Sequence, residues 1–169
     1  MNLADYSKEI ERFAKYPPEH KLVYLSSGLI SEIGELFGEL KRVFRNDGGE
    51  VTPERLERFE DEIGDVLWYT SQLCDMKNMQ GYFHDNYQPK MITTDVKDVP
   101  YILDQILRCG FTWVATWNLD DFTLFMRYLT SLAKFAKTDL ETAALANYTK
   151  LDARPNLRKE SDDEENEDS

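Results

Sequence analysis

The spacing of apolar residues constrains the fold of this chain more than any other feature, because such residues recur every three or four positions along most of its length. This period places them on one face of an α-helix, whereas a half-buried β-strand shows strict alternation of apolar and polar residues. No alternating pattern of convincing length is present, so the predicted fold class is all-α. The spacing predicts helices over residues 2–15, 19–45, 53–78, 100–109, 119–137 and 139–153.

Proline and turn residues set the ends of the first three predicted helices. Pro17 and Pro18 end the first helix, because proline lacks a backbone donor and disfavours helix at the residue before it. The Asn-Asp-Gly-Gly run at residues 46–49 predicts a turn after the second helix. Thr52 is then predicted to be the N-cap of the third helix, and Pro53 its first residue.

The middle of the chain is less regular in its pattern. Residues 79–99 lose the helical period, and the sequence predicts irregular structure there with a short extended piece over 91–94. The next helix is expected to stop at Gly110, and the last helix before Pro155.

Charge is unevenly distributed along the chain. The sequence has 32 Asp and Glu residues against 20 Lys and Arg, a formal net charge of −12, and residues 160–169 are mostly acidic. We therefore expect one domain over 1–155 and a disordered acidic tail over 156–169. An acidic surface repels phosphate backbones, which argues against nonspecific nucleic-acid binding.

Membrane insertion and secretion are not indicated by the sequence. A spanning helix needs roughly 18 consecutive apolar residues, and the sequence contains no such run. The charged start of the chain does not resemble a signal or transit peptide. Cys74 and Cys109 form no Cys-x-x-Cys motif, so we expect reduced thiols and a cytoplasmic location.

Two acid-Ile-Gly-acid segments are the strongest chemical signal. They lie on the second and third predicted helices, and positions three apart share one helix face. The turn between these helices makes them antiparallel neighbours, so the carboxylates are expected to converge. Isolated acid pairs on solvated helix faces are the alternative in so acidic a chain. The converging carboxylates are Glu32, Glu35, Glu62 and Asp65.

A glycine lies inside each of these segments, at Gly34 and Gly64. Glycine in a helix interior costs about 1 kcal/mol relative to alanine. Its use at the same offset in both helices suggests that the two backbones approach closely there.

Four converging carboxylates need a cation, because like charges raise each other's pKa. An all-oxygen set without nearby His or Cys suits Mg²⁺, with Mn²⁺ as an alternative, better than zinc. A ferritin-like di-iron bundle requires Glu-x-x-His motifs, and neither His20 nor His84 stands three residues after a glutamate.

The last predicted helix carries an amide and two cations on one face. Asn147, Lys150 and Arg154 stand at i, i+3 and i+7, an arrangement suited to a phosphate chain or a sugar. The alternative is basic charge near a helix C-terminus, which the helix dipole favours.

Together these motifs resemble the MazG-type, all-α NTP pyrophosphohydrolase family, which includes dimeric dUTPases and dCTPases. The resemblance covers about residues 20–75 and 128–155 and implies a MazG-like helical bundle. The first acid pair is followed after 26 residues by the second, as in the family, but Asp65 and Asn147 are 82 residues apart, farther than is usual. Residues 78–120 are therefore predicted to be an insertion.

The resemblance implies hydrolysis of a (d)NTP to a (d)NMP and pyrophosphate, with the metal held by the four carboxylates. Glu35 is the candidate base; Lys150 and Arg154 would hold the β- and γ-phosphates, and Asn147 the sugar or a phosphate. Lys41 is a candidate assisting cation, with a solvated helix cation as its alternative. Tyr69, with Trp68, is a candidate for stacking on sugar or base, and a core aromatic is the alternative.

Two further interpretations stay open. One is a base-specific dUTPase or dCTPase with the same metal chemistry, and the other is a non-catalytic helical interaction module. The apolar helical surfaces, and relatives that complete their bundle with a second subunit, predict a homo-oligomer, either a dimer or a tetramer built from dimers.

Overall fold

The protein is described by a computed structural model that covers residues 1–92 and 95–154. Within these ranges the regular structure consists of helices alone, so the all-α prediction is confirmed. The expected tail over 156–169 lies outside the described residues, as do residues 93–94 of the expected extended piece. The α-helices are α1 (Leu3–Glu9), α2 (Lys21–Asn46), α3 (Pro53–Met76), α4 (Gln80–Phe83), α5 (Val99–Thr116), α6 (Leu119–Phe135) and α7 (Leu140–Asp152).

Three single turns of 3₁₀-helix supplement these elements, at Glu11–Phe13, Pro18–His20 and Val96–Asp98. The first predicted helix is accordingly shorter than expected, because α1 ends at Glu9 and the chain then tightens into the 3₁₀ turn. The segment predicted to be irregular holds the short α4 as well.

The long helices α2 and α3 form an antiparallel hairpin joined by the predicted turn. Gly48 and Gly49 have φ values of 65° and 88°, a left-handed conformation that glycine adopts without a Cβ clash. The hydroxyl of Thr52 accepts a hydrogen bond from the backbone N–H of Arg55 at 3.3 Å, which confirms the predicted N-cap of α3. Leu22, in the first turn of α2, is 45% exposed, so the buried face of this helix begins at Leu25.

The prediction that Gly110 stops a helix is wrong. The helix α5 continues through it to Thr116, and the chain leaves the helix at Trp117, whose φ is 59°. A Cβ at Gly110 would lie 3.0 Å from the ring of Phe125 on α6 and 3.8 Å from Ile33 on α2. Glycine is thus used here for close packing of α5, which offsets its low helix propensity.

The helices α5 and α6 form a second hairpin that shares the core of the molecule. Trp113 is fully buried, and its ring centroid lies 4.8 Å from that of Phe122 and 6.0 Å from that of Phe125. The predicted insertion over 78–120 contains α4 and α5, and it therefore contributes buried side chains to the main core. Cys74 and Cys109 are both buried and free.

The last helix, α7, packs on α3 and α1 and brings its polar face to the carboxylate-bearing hairpin. Asp139 caps it by accepting a hydrogen bond from the backbone N–H of Thr142 at 2.8 Å. None of the helices in the described part of the chain combines the length and the apolar character needed to cross a bilayer.

Candidate functional site

Three of the four predicted carboxylates converge between α2 and α3. Glu32 and Glu35 on α2 and Glu62 on α3 each place one oxygen within 4.8 Å of the others. Glu32 and Glu62 are half-buried, whereas Glu35 is exposed. The i, i+3 spacing on α2 and the antiparallel course of α3 explain the convergence. We call these three residues the glutamate cluster.

Burial and repulsion raise the pKa values of Glu32 and Glu62. The pKa of Glu32 is raised to about 7, first by burial and then by the charges of Asp65 and Glu35. The pKa of Glu62 is also raised to about 7, first by burial and then by Glu35 and Asp65. Half-buried carboxylates near one another are therefore costly to ionise at neutral pH.

The donor set of the glutamate cluster fits a hard divalent cation. Across residues 1–92 and 95–154, the three carboxylates make no hydrogen bond or ion pair with another side chain. Glu39, one turn further along α2, differs, because it is 4% exposed and bonds to Arg55 at 3.0 Å and also to Arg42. Unpaired oxygens at this separation are what Mg²⁺ or Mn²⁺ prefers.

Asp65, the fourth predicted ligand, is engaged by α7 instead. Both of its oxygens accept from the ammonium of Lys150, at 2.8 and 2.7 Å, and Oδ1 also accepts from the amide nitrogen of Asn147 at 2.6 Å. The predicted set of four carboxylates is thus divided into the glutamate cluster and an Asp65 that already forms an ion pair with Lys150.

Asn147 is fully buried, with both ends of its amide in use. Its oxygen accepts a hydrogen bond from the hydroxyl of Tyr6 at 2.8 Å, while its nitrogen donates to Asp65. Burial, together with the charge of Asp65, raises the pKa of Tyr6 well above its ordinary value, so Tyr6 remains a donor. In this arrangement Asn147 orients Asp65.

The prediction that the paired glycines mark close approach of α2 and α3 is wrong. A Cβ on Gly64 would lie 2.7 Å from the Cβ of Asn147 and 2.9 Å from the backbone oxygen of Ala143, so Gly64 permits close approach of α3 to α7. A Cβ on Gly34 would meet nothing within 4 Å. The two motif glycines do not face each other, because α7 packs against the motif of α3.

Lys150 bridges two carboxylates of α3. Besides Asp65 it contacts Asp61, with 2.7 Å between Nζ and Oδ1. Burial acts to lower the pKa of Lys150, but the hydrogen bonds to Asp61 and Asp65 outweigh it and raise this pKa above its ordinary value. The ammonium therefore stays charged at neutral pH.

An aromatic cavity of about 330 Å³ opens beside these charges. The ring of Tyr69 in its wall lies across Gly28 of α2, where an added Cβ would overlap it. Trp68 meets Tyr69 edge to face, with ring centroids 4.9 Å apart. Arg154 is exposed in the same wall, whereas Lys41 is exposed on α2 and is not part of it. The cavity is lined by Phe13, Lys15, Tyr24, Glu32, Asp65, Trp68, Tyr69, Leu151 and Arg154.

A larger cavity of about 500 Å³ lies elsewhere, between the start of α1, residues 84–89 and the start of α7. None of the predicted site residues lines it. We place the candidate site at the smaller cavity, because Glu32, Asp65 and Arg154 line it.

Sequence analysis missed several residues of this site. Asp61 stands four residues before Asp65 on the same helix face, a signal that could have revealed it. Tyr24 and Gly28 stand on α2, eight and four residues before Glu32, but no feature of the neighbouring sequence indicates that they meet Tyr69. Tyr6 is 141 residues from Asn147, and the sequence carries no signal for that contact.

Comparisons with known proteins agree with this location. The chain is 37% identical over 54 residues to the Gene 37 protein of Mycobacterium phage L5, an alignment that covers 32% of this chain and 47% of the phage protein. The chain thus spans about half the length of that curated relative. No solved structure matches this chain significantly. Residues 22–86, which contain the whole glutamate cluster and Asp65, match the family model of the MazG nucleotide pyrophosphohydrolase domain, and this segment of the chain is therefore MazG-like.

Proposed function

We propose that this protein is a divalent-metal-dependent nucleoside triphosphate pyrophosphohydrolase that converts a (d)NTP and water into a (d)NMP and pyrophosphate. The observation that carries the proposal is the glutamate cluster, whose unpaired oxygens lie within 4.8 Å of one another inside the segment that matches the MazG domain. Lys150 on α7 and Arg154 just after this helix supply positive charge for a phosphate chain.

The carboxylates have distinct roles in this proposal. Glu32, Glu35 and Glu62 would hold Mg²⁺, or Mn²⁺ in its place, and Asp65 would join them. Such a cation neutralises phosphate charge and lowers the pKa of bound water. Glu35 is the exposed member of the glutamate cluster, and for that reason we assign it as the base that accepts the proton of the attacking water.

The substrate would lie between the charges and the aromatic wall. Lys150 and Arg154 bind the β- and γ-phosphates, and Tyr69 stacks on the sugar or base in the cavity of about 330 Å³. Asn147 acts through Asp65, which it holds at 2.6 Å. Lys41, exposed on α2, remains a candidate second contact to the phosphates from outside the cavity.

The test is a panel of eight NTPs and dNTPs with Mg²⁺, with separation of monophosphate and pyrophosphate from diphosphate and phosphate. We expect monophosphate and pyrophosphate, and loss of activity in excess chelator. Glu35→Gln and Asp65→Asn should each lower activity roughly a hundredfold or more while the helical circular dichroism signal is kept. Glu57→Gln, an exposed acid on α3, is the matched control and should retain activity.

The same panel separates the remaining interpretations. Turnover restricted to one pyrimidine nucleotide would identify a dUTPase- or dCTPase-type enzyme. Full activity in excess chelator would contradict the metal assignment. Absence of turnover with every nucleotide would favour a helical interaction module.

We further propose that the protein is a homo-oligomer, a dimer or a tetramer built from dimers. The support is a stripe on α2 that runs beside its buried face, where apolar residues recur every seventh position. Its exposed members are Val23, Ile30 and Phe44, which are 69%, 43% and 40% exposed, and the partly buried Phe37 lies between the last two. Among soluble oligomers, the commonest arrangement pairs the same surface of two identical chains.

A further inference from the structure

The ammonium of Lys150 occupies the space between two acids of α3 that are one helical turn apart. It lies 2.7 Å from Oδ1 of Asp61 and 2.8 and 2.7 Å from the two oxygens of Asp65. Its contacts with Asp65 are therefore shared between both oxygens, one of which also accepts from Asn147. One cation thus serves as counter-ion to two carboxylates.

This arrangement sets Asp65 apart from the glutamate cluster. Glu32, Glu35 and Glu62 form no ion pair within the described ranges, whereas Asp65 has a cation at hydrogen-bond distance. A divalent cation that approached Asp65 would meet the positive charge of Lys150 within a few ångströms. Like charges that close, in a half-buried place, repel strongly.

We propose that Lys150 is an internal counter-cation that keeps Asp65 out of the metal site until an anionic ligand draws its ammonium away. Metal binding through Asp65 and phosphate binding through Lys150 are then coupled, and each strengthens the other. This inference rests on the proposed function, because it takes the phosphate chain of the substrate as the ligand that draws Lys150 away.

The structure allows such an exchange. The side chain of Lys150 is 28% exposed, and its flexible four-carbon stem lets the ammonium reach another partner without movement of α7. Arg154 follows the C-terminal end of α7, four residues after Lys150, and is exposed in the cavity wall, so it can receive the phosphate chain first. Once Lys150 has left, a divalent cation replaces its charge at Asp65.

The test measures Mn²⁺ affinity by isothermal titration calorimetry on the full chain without nucleotide. Lys150→Met removes the competing charge and should bind Mn²⁺ roughly tenfold more tightly than the wild type. Lys150→Arg keeps the charge and should bind near the wild-type value. Lys134→Met removes an exposed cation from the last turn of α6, and this control for net charge should not change the affinity.

The double variant Lys150→Met/Asp65→Asn shows whether the gain acts through Asp65. The proposal requires the gain of Lys150→Met to disappear in it, and a gain that persisted would overturn the proposal. An unchanged or weaker affinity in Lys150→Met, with the circular dichroism signal retained, would overturn it too.

If Lys150→Met does not fold, Lys150→Gln serves in its place, because the amide still hydrogen-bonds to the two acids without a charge. The titration uses no nucleotide, so its outcome is independent of turnover. A chain that hydrolyses nucleotides but shows no gain refutes this inference alone.

Discussion

The acidic side chains of the site differ in whether a cation lies at hydrogen-bond distance from them. Glu32 and Glu62 have pKa values of about 7 against an ordinary value of 4.5, because burial and neighbouring acids oppose their ionisation. Asp65 lies nearby, but it accepts hydrogen bonds from Lys150 and Asn147. The carboxylates of the site that form no ion pair are therefore the glutamates, and a divalent cation would bind there.

The raised pKa values predict how the stability of the metal-free protein depends on pH. Between about pH 4.5 and 7 the folded state binds more protons at Glu32 and Glu62 than the unfolded state does, so the free energy of unfolding falls as pH rises. Thermal unfolding in chelator should show a lower Tm at about pH 8 than at about pH 5.5. Glu62→Gln should reduce this difference, and added Mg²⁺ should raise the Tm at the higher pH.

Glu57→Gln, on the exposed face of α3, is the control and should keep the wild-type pH dependence. A Tm in chelator that rises from the lower to the higher pH, and does so equally in Glu62→Gln, would contradict the assigned pKa directions.

The contact between Gly28 and Tyr69 predicts a second effect at the scale of one residue. In Gly28→Ala the new methyl group would overlap the ring of Tyr69, so the ring must move relative to Glu32 in the cavity wall. We expect the KM for nucleotide to rise roughly fivefold or more, because misplaced contacts weaken substrate positioning. Gly38→Ala on the same helix meets nothing within 4 Å and should keep the wild-type KM. Equal KM values in the two variants would argue against Tyr69 as a substrate contact.

At the scale of helices, the crossing of α3 and α7 assembles the site. Gly64 lets the backbone of α3 approach Asn147 and Ala143 to within about a van der Waals contact. This crossing brings Lys150 to Asp61 and Asp65, and it orients Asn147 between Tyr6 and Asp65. The hairpin of α2 and α3 supplies the glutamates, but α7 supplies the cations.

A pair of glycine variants tests this crossing. Gly64→Ala inserts a Cβ 2.7 Å from Asn147 and 2.9 Å from Ala143, and we expect the free energy of unfolding to fall by about 1–3 kcal/mol. Gly34→Ala adds a methyl group where nothing lies within 4 Å, and we expect a rise of about 0.5–1 kcal/mol from better helix propensity. Urea unfolding followed by circular dichroism measures both. A loss of stability in Gly34→Ala would show that a second chain lies against this part of α2.

On the scale of the whole molecule, the two hairpins and α7 share one core, yet α2 keeps an apolar stripe outside it. The stripe includes Val23, Ile30 and Phe44, which are exposed although α2 already buries a complete apolar face. The residues of the predicted insertion cover other parts of the core. The stripe on α2 is therefore a surface that a second copy of the chain would bury.

Static light scattering at micromolar concentration tests the oligomer. We expect a mass at least twice the 19.8 kDa of one chain. Ile30→Glu places a charge in the stripe and should shift the mass toward the monomer, whereas Glu57→Gln should not. A wild-type mass near 20 kDa would contradict the proposal.

The sequence by itself determined the helical class and most helix positions, because these depend on neighbours within one or two turns. The apolar period, the cap at Thr52 and the turn at Gly48 and Gly49 are local features, and the structure confirms each of them. The i, i+3 acid pairs are local in the same sense, so the convergence of Glu32, Glu35 and Glu62 followed once two helices were expected to be antiparallel.

Only the tertiary structure decided which groups these residues meet. Gly110 has the character of a helix stop in sequence, but packing against Phe125 keeps it inside α5. Asp65 carries the same local signal as Glu62, yet Asn147 and Lys150, 82 and 85 residues away, set it apart from the glutamate cluster. The physical reason is that local propensities are small, about 1 kcal/mol per residue, and burial and ion pairing between distant segments override them.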